Sequence, residues 1–222
     1  MKVLPVLALA ISSLLFLSSC GDLSSTVFRS ISGGIHTRSL AGLKAGSSLH
    51  YAGFHPRPVD ASALAKVSSL PRDKYGMPTY PYHMRNRVVR TTAYSHEENE
   101  PGAPWRKNAV GTYLKYGHVR SAAADWSHYP VGTKFKIKGL PYTYVVDDYG
   151  SALAGTNTID IYHPNLATMR LWGTRQAEIS VIQWGDWNRT LNILAKRCHY
   201  PHTRQMYYAA KAKVDSGRVA RN

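Results

Sequence analysis

The chain has 222 residues, with 28 lysines and arginines against 13 acidic residues, and its formal net charge is +15. Two cysteines, Cys20 and Cys198, are too few for a disulfide framework, so the fold must rest on its apolar core. The strong positive charge favours acidic polymers and membrane surfaces as partners. We expect no nucleic acid among them, because the chain has no recognisable nucleic-acid-binding motif and its first residues indicate export.

Residues 1–19 are typical of a lipoprotein signal peptide. Lys2 precedes an apolar run, Val3 to Leu17, that is shorter than the roughly 20 residues of a membrane-spanning helix. The following Leu17-Ser18-Ser19-Cys20 resembles a bacterial lipobox, in which cleavage exposes the cysteine for lipid attachment. An ordinary secretory signal with a coincidental cysteine is the alternative. We expect a cell-envelope protein, anchored to a membrane through lipid on Cys20 and facing the periplasm or cell wall. Cys198 is then expected to be a packed apolar residue rather than a nucleophile.

Residues 20–85 are expected to form a tether or an irregular extension. Serine and glycine clusters alternate there with short apolar groups and show no sustained period. Prolines interrupt the second half, at positions 56, 58, 71, 78 and 81. Tyr80, Tyr82 and Met84 are apolar enough to cover part of a neighbouring domain.

Residues 86–187 change to short β-rich runs separated by turns, which predicts one mainly β domain. Strands are expected at residues 88–94, 134–138, 142–146, 158–162 and 178–184. A short helix is expected between Pro164 and Gly173, because proline favours a helix start and glycine a helix end.

Residues 188–222 are expected to form a basic helix or tail. From position 189 onward there are eight lysines and arginines against one acid, Asp215. An extended helix and a disordered tail both fit this composition. A solvated basic surface is favoured over a specific polyanion-binding site.

Asp148 and Asp160 flank a glycine-bearing turn in the predicted β domain. Asp148 ends one predicted strand, and Asp160 lies inside the next, where Ile159 and Ile161 are expected to face the core and Asp160 and Tyr162 a groove. Two carboxyl groups that meet across a groove are suited to cleaving a glycosidic bond. Turn and capping roles are the alternative, because acids at strand ends often close turns.

Five short motifs, in this order, resemble the three-aspartate (3D) domain. They are Thr92-Ala93-Tyr94-Ser95, Ala124-Asp125 with Tyr129-Pro130-Val131-Gly132-Thr133, Asp148 with Gly150 and Gly155, Ile159-Asp160-Ile161-Tyr162, and Trp172-Gly173-Thr174-Arg175. The 3D domain is the double-psi β-barrel module of membrane-bound lytic transglycosylase A and related cell-wall lytic proteins. The resemblance covers residues 90–184 and implies a six-stranded double-psi β-barrel with short helices.

Two departures from the family pattern affect the second aspartate. The stretch before the third aspartate is one residue longer, and the usual Gly-Gly is Gly150-Ser151. Either Asp147 or Asp148 therefore aligns with the family acid, and the distance to Gly150 favours Asp148. The chain also has no room for the larger second domain of membrane-bound lytic transglycosylase A.

The resemblance implies a peptidoglycan lytic transglycosylase that cleaves the MurNAc–GlcNAc β-1,4 bond and forms 1,6-anhydroMurNAc. It implies Asp160 as general acid and then base, with Asp148 and Asp125 completing the catalytic group. Asp125 as a loop-closing acceptor is the alternative. The groove is expected to bind the glycan through Thr92, Tyr94, Gly150 and Tyr162. Arg175 is either structural or holds a substrate carboxylate.

Two other functions remain open on the sequence alone. A non-catalytic peptidoglycan-binding envelope lipoprotein would use the same groove, and a hydrolase would use two carboxylates and water. We expect no cofactor and no metal, because His96, Glu97 and Glu98 do not stand at a recognised metal spacing with the other histidines, among them His118, His128 and His163. Protein partners are not identified by the sequence.

Overall fold

The computed structural model describes residues 56–99 and 106–219. The predicted signal peptide, Cys20 and the tether up to residue 55 lie outside the described residues, so these expectations stay predictions. Within the described ranges, no helix is long and apolar enough to cross a membrane.

Six strands form one sheet that closes on itself. They are β1 (Asn86–Ser95), β2 (Val119–Ala124), β3 (Lys134–Ile137), β4 (Thr143–Asp148), β5 (Thr158–His163) and β6 (Arg175–Gln183). Their order around the sheet is β1-β5-β2-β4-β3-β6, and β6 pairs with β1 to complete the ring. The β1–β5 and β2–β4 pairs are parallel. The predicted mainly β fold is confirmed.

The β2 strand is the one that the strand predictions omitted. Its sequence, Val-Arg-Ser-Ala-Ala-Ala, contains few of the β-branched and aromatic residues that favour strands. Ala122 and Ala124 are completely buried, and β2 hydrogen-bonds to β4 on one side and to β5 on the other. Tertiary pairing, rather than local propensity, therefore makes this segment a strand.

Four α-helices accompany the sheet in the described part of the chain. They are α1 (Ala61–Lys66), α2 (Leu166–Trp172), α3 (Trp187–Ala195) and α4 (Pro201–Asp215). The α2 helix lies within the predicted range, and the Asn165 side chain caps its start by accepting a hydrogen bond from Thr168 N. Gly173 ends it with a φ of 61°, in the left-handed region that favours glycine.

The interior of the closed sheet is filled by apolar side chains from all six strands. The largest strand residues that are fully buried are Phe135, Ile137, Tyr144, Ile159 and Ile161. Ile159 and Ile161 alternate with Asp160, as predicted for a strand with one face in the core.

The segments on both sides of the sheet pack against it. In the N-terminal segment, Met77 is buried and the Tyr80 hydroxyl accepts a hydrogen bond from Val88 N. In the C-terminal segment, Leu194 of α3 and Met206 of α4 are buried in the main core. The described part of the basic C-terminal region is therefore helical and docked, with its lysines and arginines mostly at the surface.

The chain passes unusually close to itself at Gly185, after β6. A Cβ atom at this position would lie 2.2 Å from the carbonyl oxygens of Pro130 and Val131. Gly185 N also donates a hydrogen bond to Thr133 Oγ1. Glycine at this position thus allows the start of the C-terminal segment to lie on the turn before β3.

Gly185→Ala is expected to lower the free energy of unfolding by about 2–3 kcal/mol, because backbone must move to admit the methyl group. Gly117 provides a matched control, since a Cβ there would meet nothing within 4 Å. Gly117→Ala should change the free energy by less than about 0.5 kcal/mol. Urea unfolding measures both variants, and equal losses would contradict the close approach at Gly185.

Candidate active site

A cleft of about 620 Å³ contains both Asp148 and Asp160 in its lining. The rest of its wall comes from the end of β1, the segment before β2, the turn after β4 and one residue beyond α3. A cavity of similar size, about 660 Å³, lies beside α1 and is crossed by the exposed Lys138 ion pairs with Asp60 and Glu178. Attraction to Lys138 lowers the pKa of Asp60. The two-aspartate cleft is therefore the better candidate for acid–base chemistry.

The β2 strand sets the spacing of the two aspartates. Ala123 is the register partner of Asp148 on β4 and also of Asp160 on β5. Neighbouring strands lie about 4.8 Å apart, so the two aspartate Cα atoms are separated by roughly 10 Å across β2. The small alanine side chain between them leaves the space above the strand open to a ligand.

Asp160 is held by its neighbour on β1. Thr92 Oγ1 donates a hydrogen bond of 2.6 Å to Asp160 Oδ1. Burial raises the pKa of Asp160 to about 6, and the negative charges of Glu98 and Asp148 act in the same direction. The Thr92 bond and the charge of Arg90 oppose this rise. A carboxyl with this pKa exchanges its proton near neutral pH, as a general acid and base must.

Asp148 accepts three hydrogen bonds in the same cleft. The Tyr94 hydroxyl donates to Oδ2 at 3.1 Å, and Ala109 N and Tyr149 N each donate to Oδ1 at 3.0 Å. Burial raises the pKa of Asp148 to about 6 although these bonds favour the carboxylate. Its backbone is fixed as well, because Trp126 Nε1 donates to the Asp148 carbonyl at 2.8 Å.

A β-bulge separates Asp147 from Asp148. Ala122 pairs with Val146 and Ala123 with Asp148, so Asp147 is the extra residue on β4. It is 4% exposed, forms an ion pair of 2.6 Å with Lys115, and does not belong to the cleft lining. The structure therefore places Asp148, the favoured alternative, beside Asp160.

Asp125 lies directly after β2 and is 1% exposed. One carboxylate oxygen accepts a hydrogen bond from Ser127 N at 2.7 Å, and the other accepts one from Gly155 N. Gly155 belongs to the loop that joins Asp148 to Asp160. Asp125 thus has the contacts of a loop-closing acceptor and is not part of the cleft wall.

Residues 120–183 match the family model of the 3D domain. The chain carries a 3D domain. The match runs from β2 to the end of β6 and includes all three aspartates. No curated protein matches the chain. The 3D domain is associated with proteins related to peptidoglycan lytic transglycosylases.

The predicted glycan-binding residues occupy different depths around the 3D-domain cleft. Tyr94 and Gly150 line it, and Thr92 contacts it through its bond to the third aspartate. Tyr162 is 3% exposed and lies behind the cleft wall, where its hydroxyl is 2.9 Å from His96 Nδ1. His96 itself lines the cleft, so Tyr162 contacts the cleft through this histidine.

Other predicted candidates are held by local contacts. Arg175 donates to the carbonyls of Leu171 and Trp172, at 3.0 Å and 2.8 Å, and so closes the end of α2. His163 is completely buried, and burial lowers its pKa to about 3. Cys198 Sγ donates to the Leu194 carbonyl, as suits a packed cysteine. Within residues 56–99 and 106–219, no group of three or more His, Cys, Asp or Glu side chains is arranged to hold a metal ion.

Arg197 is a cleft residue that sequence reasoning missed. It donates to the Ala109 carbonyl at 2.9 Å and to the Tyr149 hydroxyl at 3.2 Å. Ala109 and Tyr149 are the same residues whose N–H groups bind Asp148, so Arg197 positions both donors. Its position in a basic segment did not indicate a role at the cleft, because the contact depends on how the C-terminal helices pack against the rest of the fold.

Lys107 and Asn108 also line the cleft and were not predicted. They belong to the segment before β2, which lies outside the residues matched by the 3D domain. The sequence offered no strand or motif by which to place this segment. Together with Arg197, Lys107 adds positive charge to a cleft that contains two carboxyl groups.

Asp160→Asn is expected to make the fold about 1–3 kcal/mol more stable than wild type at pH 7.5, with little difference at pH 4. The folded pKa of Asp160, about 6, exceeds the ordinary value of 3.8. Between these values the folded state binds more protons than the unfolded state, so wild-type stability falls as pH rises. Urea unfolding at both pH values measures this.

The exposed Asp215 is the control for this pH dependence. Its ion pair with Lys211 is at the surface, so Asp215→Asn should have a small effect at both pH values. A pH-independent effect of Asp160→Asn would contradict a raised pKa.

Arg197→Gln is expected to raise the pKa of Asp148 further, because the two N–H donors that favour the carboxylate lose their support. Carboxyl chemical shifts followed by NMR titration measure this pKa directly. Arg204→Gln, which removes an exposed charge from α4, should leave it unchanged. An identical titration of Asp148 in wild type and Arg197→Gln would show that Arg197 does not position the donors.

Proposed function

We propose that the protein is a peptidoglycan lytic transglycosylase of the cell envelope. It cleaves the β-1,4 bond between MurNAc and GlcNAc and leaves a 1,6-anhydroMurNAc end. The observation that carries the proposal is Asp160, a carboxyl with a pKa raised to about 6 in an open cleft of a 3D domain. At pH 7 a carboxyl with this pKa is protonated in about one molecule in ten, far more often than one with the ordinary value of 3.8.

In the proposed reaction Asp160 acts twice. Its protonated carboxyl donates a proton to the glycosidic oxygen as the bond to the MurNAc anomeric carbon breaks. The resulting carboxylate then accepts the proton of the MurNAc C6 hydroxyl, whose oxygen forms the new bond to the anomeric carbon. The proton returns to Asp160, so neither water nor an enzyme nucleophile is consumed.

The other two aspartates support this acid in different ways. Asp148 carries a negative charge in the same cleft, which contributes to the raised pKa of Asp160. Its Oδ2, which accepts the Tyr94 hydroxyl, has a second lone pair that can accept a sugar hydroxyl. Asp125 holds the loop between them through Gly155. In this proposal Thr92, Tyr94 and Gly150 contact or position the glycan at the cleft, and Tyr162 acts through His96.

The proposal also states where in the cell the protein acts and which type of β-barrel its closed sheet is. Cys20 carries lipid after signal-peptide removal, and the lipid holds the 3D domain at a membrane facing the periplasm or cell wall. The closed sheet is a double-psi β-barrel of the type in membrane-bound lytic transglycosylase A. The two parallel strand pairs, β1–β5 and β2–β4, support this assignment.

A non-catalytic peptidoglycan-binding function is the second candidate. The basic side chains Lys107 and Arg197 at the cleft favour it, because they suit the carboxylates of murein whether or not a bond is cut. In this case Asp160 would serve only as a hydrogen-bonding group for a sugar.

The product of murein digestion tests the proposal. Purified protein incubated with murein should release 1,6-anhydromuropeptides, detected by mass spectrometry. Asp160→Asn should reduce the rate by about 10²–10⁴-fold, the usual contribution of a general acid–base group. Asp215→Asn, with the same charge change at an exposed position on α4, should retain the wild-type rate.

Other outcomes identify the alternatives. Murein binding by wild type and Asp160→Asn without any released product would favour the non-catalytic function. Reducing-end products that lack the anhydro ring would indicate a hydrolase that uses both carboxyl groups and water. Full activity of Asp160→Asn would remove Asp160 from the mechanism.

A further inference from the structure

A smaller cavity of about 150 Å³ lies apart from the cleft and from the cavity beside α1. It is formed by the segment before β1, the turn after β2, the start of α3 and the end of α4. Three cationic side chains line it, Arg87, Lys213 and Arg218, and no acidic residue does so among the described residues. We call it the cationic pocket.

Two of these cations are withdrawn from water. Arg87 is 4% exposed, donates to the Met84 and Pro81 carbonyls, and lies 4.9 Å from the Trp184 ring centroid. Lys213 Nζ donates to the Ser127 carbonyl. Carbonyls and aromatic rings stabilise a cation but carry no negative charge, so the buried charge is only partly compensated.

The acidic residue that attracts Lys213 already accepts hydrogen bonds from the backbone. Asp125 attracts Lys213, but both its carboxylate oxygens accept backbone N–H bonds. Burial, together with the smaller effects of the Arg87 and Arg218 charges, lowers the pKa of Lys213 to about 8 against this attraction. Three positive groups therefore share the charge of one neighbouring acid.

A buried tryptophan in the same wall interacts with a neighbouring tyrosine. Trp187 lines the cationic pocket and is completely buried, and the hydroxyl of Tyr82, which also lines the pocket, accepts a hydrogen bond from the Trp187 side chain. Buried indole N–H groups usually find a partner. The pocket thus brings three positive charges together without an acidic residue in its wall, and an anion would compensate them.

We propose that the cationic pocket binds a small tetrahedral oxyanion of the phosphate class. Its volume corresponds to roughly five water molecules at ~30 Å³ each, which suits one phosphate group and excludes a disaccharide. Two guanidinium groups and an ammonium are the side chains that bind phosphate best, by charge and by multiple N–H donors. Free phosphate and a phosphate monoester on a larger molecule share this chemistry.

A bound phosphate would join two separate parts of the fold. Arg87 belongs to β1, whereas Lys213 and Arg218 lie at the end of α4 and after it. The ligand would fasten the end of α4 to the closed sheet beside the Asp125 turn. Phosphate should therefore stabilise the folded protein in proportion to its concentration.

Thermal unfolding of the full chain tests the proposal, with sodium phosphate compared with sodium chloride at equal ionic strength and pH 7. Phosphate at tenfold its Kd should raise Tm by roughly 3–5 °C. Arg218→Gln and Lys213→Gln should lose most of this shift. Lys211→Gln, the same charge change at an exposed position on α4, should keep it.

Further arms of the same experiment define the ligand. A similar shift with glycerol 3-phosphate would show that the pocket admits monoester phosphates, whereas a shift with orthophosphate alone would assign the free ion. Both results support the oxyanion pocket. An equal shift with acetate, or an equal phosphate shift in wild type and Arg218→Gln, would overturn it. Arg218 is exposed, so this variant decides the question even if Lys213→Gln fails to fold.

Discussion

The double pairing of β2 is the constraint on which the candidate active site depends. Because β2 hydrogen-bonds to β4 and β5 at once, Ala123 stands between Asp148 and Asp160 in register with both. A slip of one residue in either pairing would turn one aspartate toward the core. The bulge at Asp147 is part of this register, since it lets β4 end with Asp148, not Asp147, at the cleft.

A strongly basic protein keeps its two cleft carboxyls from full ionisation at neutral pH by burial, not by its net charge. Distant surface charges are screened within about 8 Å in physiological salt, so the +15 charge has little effect at the cleft. Desolvation is local and raises the pKa of both Asp148 and Asp160. The surface charge instead favours encounter with an acidic polymer, which diffuses in from farther away.

Sequence patterns predicted the parts of the fold that local chemistry determines. Alternation predicted β3 and β5, and Gly173 ends α2 as expected, whereas the cap at its start is Asn165, next to the predicted Pro164. The same reasoning missed β2, whose alanines have weak strand propensity and depend on pairing. For the site, family resemblance identified Asp160 and Asp148, but spacing cannot show a bulge, so Asp147 stayed an alternative until the register was known. Arg197 was beyond prediction because its contacts span 88 and 48 residues.

The C-terminal helices and the loop between them contribute to the candidate active site, although the 3D-domain match ends before them. Two series of hydrogen bonds connect them to Asp148. Arg197 holds the residues whose N–H groups bind its carboxylate, and Met206 Sδ accepts the N–H of Trp126, whose indole binds its carbonyl. Met206 packs in the main core, and Arg197 lines the cleft. A basic segment that looks like a solvated tail in the sequence thus contributes to the geometry of a carboxyl group that it never touches directly.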